Sequence, residues 1–197
     1  MSNHQQGFTL LELTVVVLII GLLAAIVLVN YRGGEKQFAL LRSTHRLAQD
    51  LRQAEEMAIS SRKTPEGLPF EGVFPKGGYG VHFVKDSDSY ILFADCDSDG
   101  DYYYLEGPFS CKEADYLKGQ HRNETIKELT LEEGIKIKEL FPLSPGNSLS
   151  ITFKPPEPTV TIAGGDETVA VITLCLKDNE NITRIITVNK AGLIDTH

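Results

Sequence analysis

The first feature of the hydrophobic pattern is an unbroken apolar run near the start of the chain. From Leu13 to Val29 the sequence contains no charge, no proline and no amide side chain. Together with the flanking residues from Phe8 to Leu11, the run reaches about the 20 residues that a helix needs to cross a hydrocarbon core. The pattern therefore predicts a membrane-spanning helix.

The apolar run passes into an amphipathic pattern without a stop signal. Apolar residues now recur at intervals of three and four, which is the period of one helix face. We therefore predict that the helix continues to about Ser61, giving about 50 residues and about 80 Å of length. Its apolar stripe, expected to pack against a globular domain, consists of Leu40, Thr44, Leu47, Leu51, Ala54 and Ala58.

The remainder of the chain is predicted to be rich in strands. Pro65–Gly80 holds three prolines and five glycines, which indicates a loop. Short segments rich in Val, Ile, Tyr, Phe and Thr then alternate with turn residues, and this pattern is typical of an antiparallel sandwich or a pair of small sheets. The fold class is therefore α+β. The predicted strands are Tyr79–Lys85, Ser89–Ala94, Tyr102–Leu105, Thr125–Leu131, Ile135–Leu140, Ser148–Lys154, Thr159–Ile162, Val169–Lys177, Thr183–Asn189 and Gly192–Ile194.

A single carboxylate, Glu12, interrupts the apolar segment one turn from its start. An ionised side chain in lipid costs at least a few kcal/mol unless a positive group pairs with it. An amino terminus at Phe8, created in a neighbouring copy by cleavage after Gly7, would neutralise Glu12 if the two helices were staggered by about one turn. Glu12 is therefore a candidate functional residue.

The sequence Gly7-Phe8-Thr9-Leu10-Leu11-Glu12 resembles the processing motif of type IV pilins and type II secretion pseudopilins. The resemblance implies that a prepilin peptidase cuts after Gly7 and that Phe8 becomes N-methylated. It also implies that Glu12 recruits subunits into a helical filament. A secretory signal peptide and a plain anchor are weaker interpretations, because the first needs a basic n-region and the second leaves Glu12 unexplained.

The same resemblance implies an organisation for the whole chain. Residues 1–7 form a leader, residues 8–31 the membrane-spanning assembly half of the helix, residues 32–62 its amphipathic half, and residues 63–197 a periplasmic globular domain. The expected location is the inner membrane in a single pass, followed by the filament. The expected partners are other pilins or pseudopilins, the prepilin peptidase and an inner-membrane assembly platform.

A second resemblance covers more of the chain. Tyr90–Asp95, Ile185–Gly192 and the helix Leu47–Ala58 are similar to H-type minor pseudopilins of type II secretion systems and to their pilus counterparts. A major pilin and other minor pseudopilins stay open as alternatives. So does a minor type IV pilin that binds DNA or another ligand at a fibre tip.

Composition and the distribution of reactive residues narrow these alternatives. With 27 acidic and 19 basic residues the net charge is -8, which disfavours binding to a phosphate backbone. The five histidines are scattered, and the sequence contains no nucleophile elbow and no phosphate-binding glycine loop after a strand. We therefore expect a structural subunit and not an enzyme, with no required cofactor.

One acidic segment matches the twelve-residue calcium loop, with acids at the first, third, fifth and twelfth positions and glycine at the sixth. The alternative is a hairpin turn whose aspartates accept hydrogen bonds from their own backbone and face solvent. Both interpretations stay open, with any calcium affinity in the weak extracellular class. The candidate ligands are Asp95, Asp97, Asp99, Asp101 and Glu106.

The three cysteines, Cys96, Cys111 and Cys175, all lie in the part expected to be exported. An oxidising compartment permits one disulfide. Cys96 and Cys111 are favoured as the pair because they are close in sequence and flank a polar loop. Cys175 is expected to be a small buried hydrophobe, and the spacings do not indicate a zinc site.

Overall fold

The computed structural model describes residues 9–66, 71–72, 74–96, 98, 100, 102, 124–155, 159–162 and 167–197, apart from the side chains of 27–33. A long helix is followed by antiparallel strands, so the predicted α+β class is confirmed. The chain divides into two compact units, Met1–Phe38 and Ala39–His197. The segment boundaries expected at residues 7, 31 and 62 stay predictions.

Helix α1 spans Leu10–Ile59 and ends two residues before the predicted Ser61. The Ser61 N–H donates to the Ala58 carbonyl and the Arg62 N–H to the Met57 carbonyl, and Ser61 has φ 44°. These two bonds and the left-handed residue form the Schellman motif that commonly closes a helix. The motif explains why α1 stops here without glycine or proline.

In the first unit, every residue from Leu10 to Ile26 is exposed. Most of them are large and apolar. This part of α1 therefore lacks the polar face of an amphipathic helix. Within the part of the chain that the structure describes, no helix combines the length and the hydropathy required of a membrane span. The membrane-spanning segment stays a prediction.

The second unit contains two antiparallel sheets. Their strands are β1 Gly78–Val84, β2 Ser89–Asp95, β3 Thr125–Thr130, β4 Ile135–Phe141, β5 Ser148–Lys154, β6 Thr159–Ile162, β7 Val169–Leu176, β8 Asn179–Asn189 and β9 Ile194–Thr196. Among the described residues, sheet A has the strand order β3-β2-β1-β5-β6 and sheet B the order β4-β7-β8-β9.

One hydrophobic core joins the second half of α1 to the inner faces of both sheets. All six positions of the predicted stripe, from Leu40 to Ala58, are buried. Alternate residues of β1 and β5 in sheet A, and of β7 and β8 in sheet B, supply the opposite side of the core. The predicted packing of the amphipathic stripe is confirmed.

Polar contacts fix α1 against the sheets at several points. Tyr90 on β2 donates its hydroxyl hydrogen to Asp50 Oδ2 at 2.5 Å. At the end of α1, Tyr79 on β1 donates to the Arg62 carbonyl at 2.6 Å, and burial raises the pKa of Tyr79 to about 12. Both tyrosines satisfy their polar atom while filling the core, as buried tyrosines generally do.

Two strands differ from the sequence prediction by more than one residue at an end. Strand β8 begins at Asn179 and not at Thr183, because Asn179 still pairs with Leu176 beyond the bulge that shifts the register between Cys175 and Leu176. Strand β9 spans Ile194–Thr196 and not Gly192–Ile194, because the preceding residues form a turn. Asn189 Oδ1 accepts the N–H groups of Ala191 and Leu193 and holds that turn closed.

One further predicted strand lies mostly where the structure makes no statement. Tyr102 is outside any strand. Residues 103–105, the rest of the predicted strand, lie outside the described residues.

Candidate functional site

The first turn of α1 contains the candidate assembly residue. Glu12 is the third helical residue, and its N–H donates to Thr9 Oγ1 at 3.3 Å, while the Leu13 N–H donates to the Thr9 carbonyl at 3.2 Å. Thr9 is therefore the N-cap residue. A threonine N-cap with glutamate three residues later is the sequence signature of a capping box, so this cap could have been inferred from Thr9-Leu10-Leu11-Glu12.

The helix start gives Glu12 a favourable electrostatic position. The unpaired N–H groups of a first turn carry the positive end of the helix dipole, which stabilises a nearby carboxylate by about 0.3–1 kcal/mol when it is exposed. This is less than the cost of placing an unpaired carboxylate in an apolar medium. The cap therefore offsets only part of that cost, and a positive partner is still needed there.

Glu12 is surrounded in sequence by apolar side chains that are exposed. Leu10, Leu11 and Leu13 lie next to it, and the exposed series continues to Ile26. The processing residues Gly7 and Phe8 lie outside the described residues. The structure therefore gives the helix position of Glu12 and leaves the roles of all three residues as predictions.

The acidic segment begins at Asp95, the last residue of β2, whose side chain is only 1% exposed. Asp95 Oδ1 accepts the Ser98 N–H at 2.7 Å, and Oδ2 accepts the Gly100 N–H at 3.0 Å. Ser98 and Gly100 both have positive φ, as is common in tight turns. The two backbone hydrogen bonds fit the hairpin-turn alternative, whereas the burial of Asp95 does not match the solvent-facing aspartates that it assumes.

Asp95 is the one candidate calcium ligand that lies within the described residues. An ionised carboxylate has about four acceptor sites, so these two backbone hydrogen bonds do not by themselves occupy all the acceptor sites of Asp95. Within the described ranges no three His, Cys, Asp or Glu residues cluster as metal ligands do. The other candidate ligands, Asp97, Asp99, Asp101 and Glu106, lie outside those ranges, so the calcium site stays a prediction.

A second buried carboxylate, Glu124, was not identified from the sequence. Its side chain lies just before β3, is 2% exposed, and accepts the Cys96 N–H at 2.9 Å through Oε1. The Ala94 N–H donates to the Glu124 carbonyl at 3.0 Å. Because Glu124 is distant from Asp95 in sequence and belongs to no motif, only the pairing of β2 with β3 reveals that it lies beside the acidic segment.

The described cysteines differ in their covalent state. Cys96 is disulfide-bonded, whereas Cys175 is a free thiol buried in sheet B, and burial raises the pKa of Cys175. Cys175 thus has the buried environment expected from the sequence. Cys111 lies outside the described residues, so its predicted pairing with Cys96 stays a prediction.

The one histidine–serine contact found in the described part of the chain is buried. His82 Nδ1 lies 2.8 Å from Ser150 Oγ, which also accepts the Tyr102 N–H at 3.2 Å. The Tyr102 ring packs on His82 with centroids 4.8 Å apart. Ser150 is buried, and its hydroxyl oxygen links Tyr102 to His82 in sheet A.

The comparisons with known proteins are more specific for the start of the chain than for the rest. No curated protein matches the sequence. The crystal structure of the Pseudomonas aeruginosa (strain PAO1) type IV minor pilin FimU aligns with 80% of this chain and 87% of that chain, at 12% identity and a TM-score of 0.43. At this TM-score the likeness supports no further conclusion, and the H-type subtype stays a prediction. Residues 2–28 match the family described as the prokaryotic N-terminal methylation motif, and the motif expected from Gly7 to Glu12 is thereby confirmed.

Proposed function

We propose that the chain is a structural, non-enzymatic subunit of a type IV pilus-like filament, most like a minor pseudopilin of a type II secretion system. The observation that carries the proposal is the N-terminal methylation motif of residues 2–28, with Glu12 in the first turn of a helix whose neighbouring side chains are apolar and exposed. A soluble helix of this length normally has a polar face, and this segment has none.

Processing would generate the partner that Glu12 needs. Cleavage between Gly7 and Phe8 by a prepilin peptidase leaves Phe8 with an amino terminus, and N-methylation of that nitrogen keeps its positive charge. The new terminus then stands one residue before the Thr9 cap. Each subunit would therefore carry a positive group and a carboxylate about one helical turn apart, about 5.4 Å along the axis.

Assembly would bring these two charges together between copies. A neighbouring helix displaced by about one turn places its amino terminus beside Glu12, and the ion pair removes the cost of an isolated carboxylate in an apolar medium. Van der Waals packing among the apolar side chains from Leu10 to Ile26 would supply the remaining attraction between helices. The two terms together favour an ordered stack of parallel helices.

The proposal includes a location and a set of partners. Before assembly the apolar segment would lie in the inner membrane in a single pass, with the second unit on the extracytoplasmic side. An assembly platform in that membrane and other pilins or pseudopilins would then incorporate the subunit. The choice of a secretion system rests on the H-type resemblance, and a secretion operon or a pilus operon beside the gene would distinguish the two systems.

The test removes the charge of the Glu12 side chain and keeps the shape of that side chain. We expect the Glu12→Gln variant to be inserted and cleaved normally but to be absent from sheared filaments, as measured by the mass of the mature chain and by immunoblot of the filament fraction. Glu35→Gln, which removes an exposed carboxylate elsewhere on α1, is the matched control and should be incorporated normally. Normal incorporation of Glu12→Gln would contradict the charge-pair mechanism, and absence of cleavage in the unmodified chain would contradict the function itself.

A further inference from the structure

We draw no further inference here: the strongest candidate, the exposed apolar side chains of Phe141, Val169 and Ile185 on the outer face of sheet B, has none of the described segments packed over it, and nothing in the structure shows what covers it.

Discussion

Helix α1 contains two leucine-rich segments that the fold treats in opposite ways. Between Leu10 and Ile26 every side chain is exposed, and Leu18 is 64% exposed. Between Leu40 and Ala58 the apolar side chains point into a core, and Leu51 is 0% exposed. The difference follows from periodicity, because the second segment confines its apolar residues to one stripe and the first has them on all sides.

This difference separates two kinds of stability. Burial of the stripe contributes to the free energy of unfolding of the second unit, since each buried leucine is worth about 1.5–3 kcal/mol relative to an exposed one. The leucines of the first segment contribute no such term to the folded chain itself. We expect their burial to contribute free energy only to membrane insertion and filament assembly, where lipid or neighbouring helices would cover them.

The largest expected effect tests this separation directly. Leu51→Ala should lower the free energy of unfolding of the second unit by about 2–5 kcal/mol, because it removes buried methyl groups and leaves a cavity. Leu18→Ala, the same substitution on the same helix, should leave that free energy unchanged within about 0.5 kcal/mol. Denaturant unfolding followed by tyrosine fluorescence is the measurement, since Tyr79 and Tyr90 lie in the core.

Filament incorporation provides the reverse comparison for the same two variants. Leu18→Ala should weaken incorporation while stability is unchanged, because it removes packing surface between helices. Leu51→Ala should affect incorporation only to the extent that the second unit unfolds. Equal destabilisation of the second unit by both variants would refute the separation of the two segments.

The melting temperature of the second unit tests the predicted calcium site. If the acidic segment binds calcium with a dissociation constant of about 10⁻⁴ to 10⁻³ M, calcium at 10 times that constant should stabilise the unit by about 1.4 kcal/mol. A rise in melting temperature on adding calcium, reversed by a chelator, is the expected result. Asp97→Ala combined with Asp99→Ala should abolish the rise, whereas Asp195→Ala, outside the loop, should retain it. An unchanged melting temperature at millimolar calcium would favour the hairpin turn.

The same contrast shows which features the sequence could predict. The stripe from Leu40 to Ala58 and most strands follow from hydrophobic period, which reflects the face that each side chain turns towards the core. The Thr9 cap was also present in the sequence as a threonine and glutamate three residues apart. Features that depend on pairing between distant segments were not predictable. Glu124 approaches Cys96 only because β3 lies beside β2.

The C-terminal end of α1 offers a test with a smaller expected effect. Ser61 adopts φ 44° in the Schellman motif, a conformation that costs a residue with a Cβ about 1 kcal/mol or more and glycine very little. We therefore expect Ser61→Gly to relieve about 1–2 kcal/mol of backbone strain. The added entropy of the unfolded chain offsets about 0.4–1 kcal/mol of this, so a net stabilisation of the second unit below about 1.6 kcal/mol is expected. Ser60→Gly, one residue earlier and without a positive φ, should not stabilise it. Destabilisation by Ser61→Gly in denaturant unfolding would contradict the helix end described here.

The smallest expected effect concerns an ion pair that joins α1 to the turn between β3 and β4. Arg42 donates to both oxygens of Glu132, through Nε at 3.0 Å and Nη2 at 2.7 Å. The Ser43 hydroxyl oxygen accepts the Glu132 N–H at 3.2 Å. The side chains of Arg42 and Glu132 are 60% and 32% exposed, so solvent screens their attraction and the pair is worth about 0.2–1 kcal/mol.

The pH dependence of this pair gives it a distinctive signature. The hydrogen bond from Arg42 lowers the pKa of Glu132 below its usual 4.5. A lowered carboxyl pKa contributes stability that is complete above the unfolded value and is lost as the pH falls through the folded value. Glu132→Gln should therefore be less stable than the unmodified chain at pH 7 and nearly equal to it once the pH falls well below 4.5. Because salt screens exposed pairs, 1 M salt should also shrink the difference at pH 7, whereas the stability of Glu133→Gln, at the exposed neighbour, should show no such salt dependence. A deficit in Glu132→Gln that persists at low pH would mean that Glu132 stabilises the turn through packing and not through its charge.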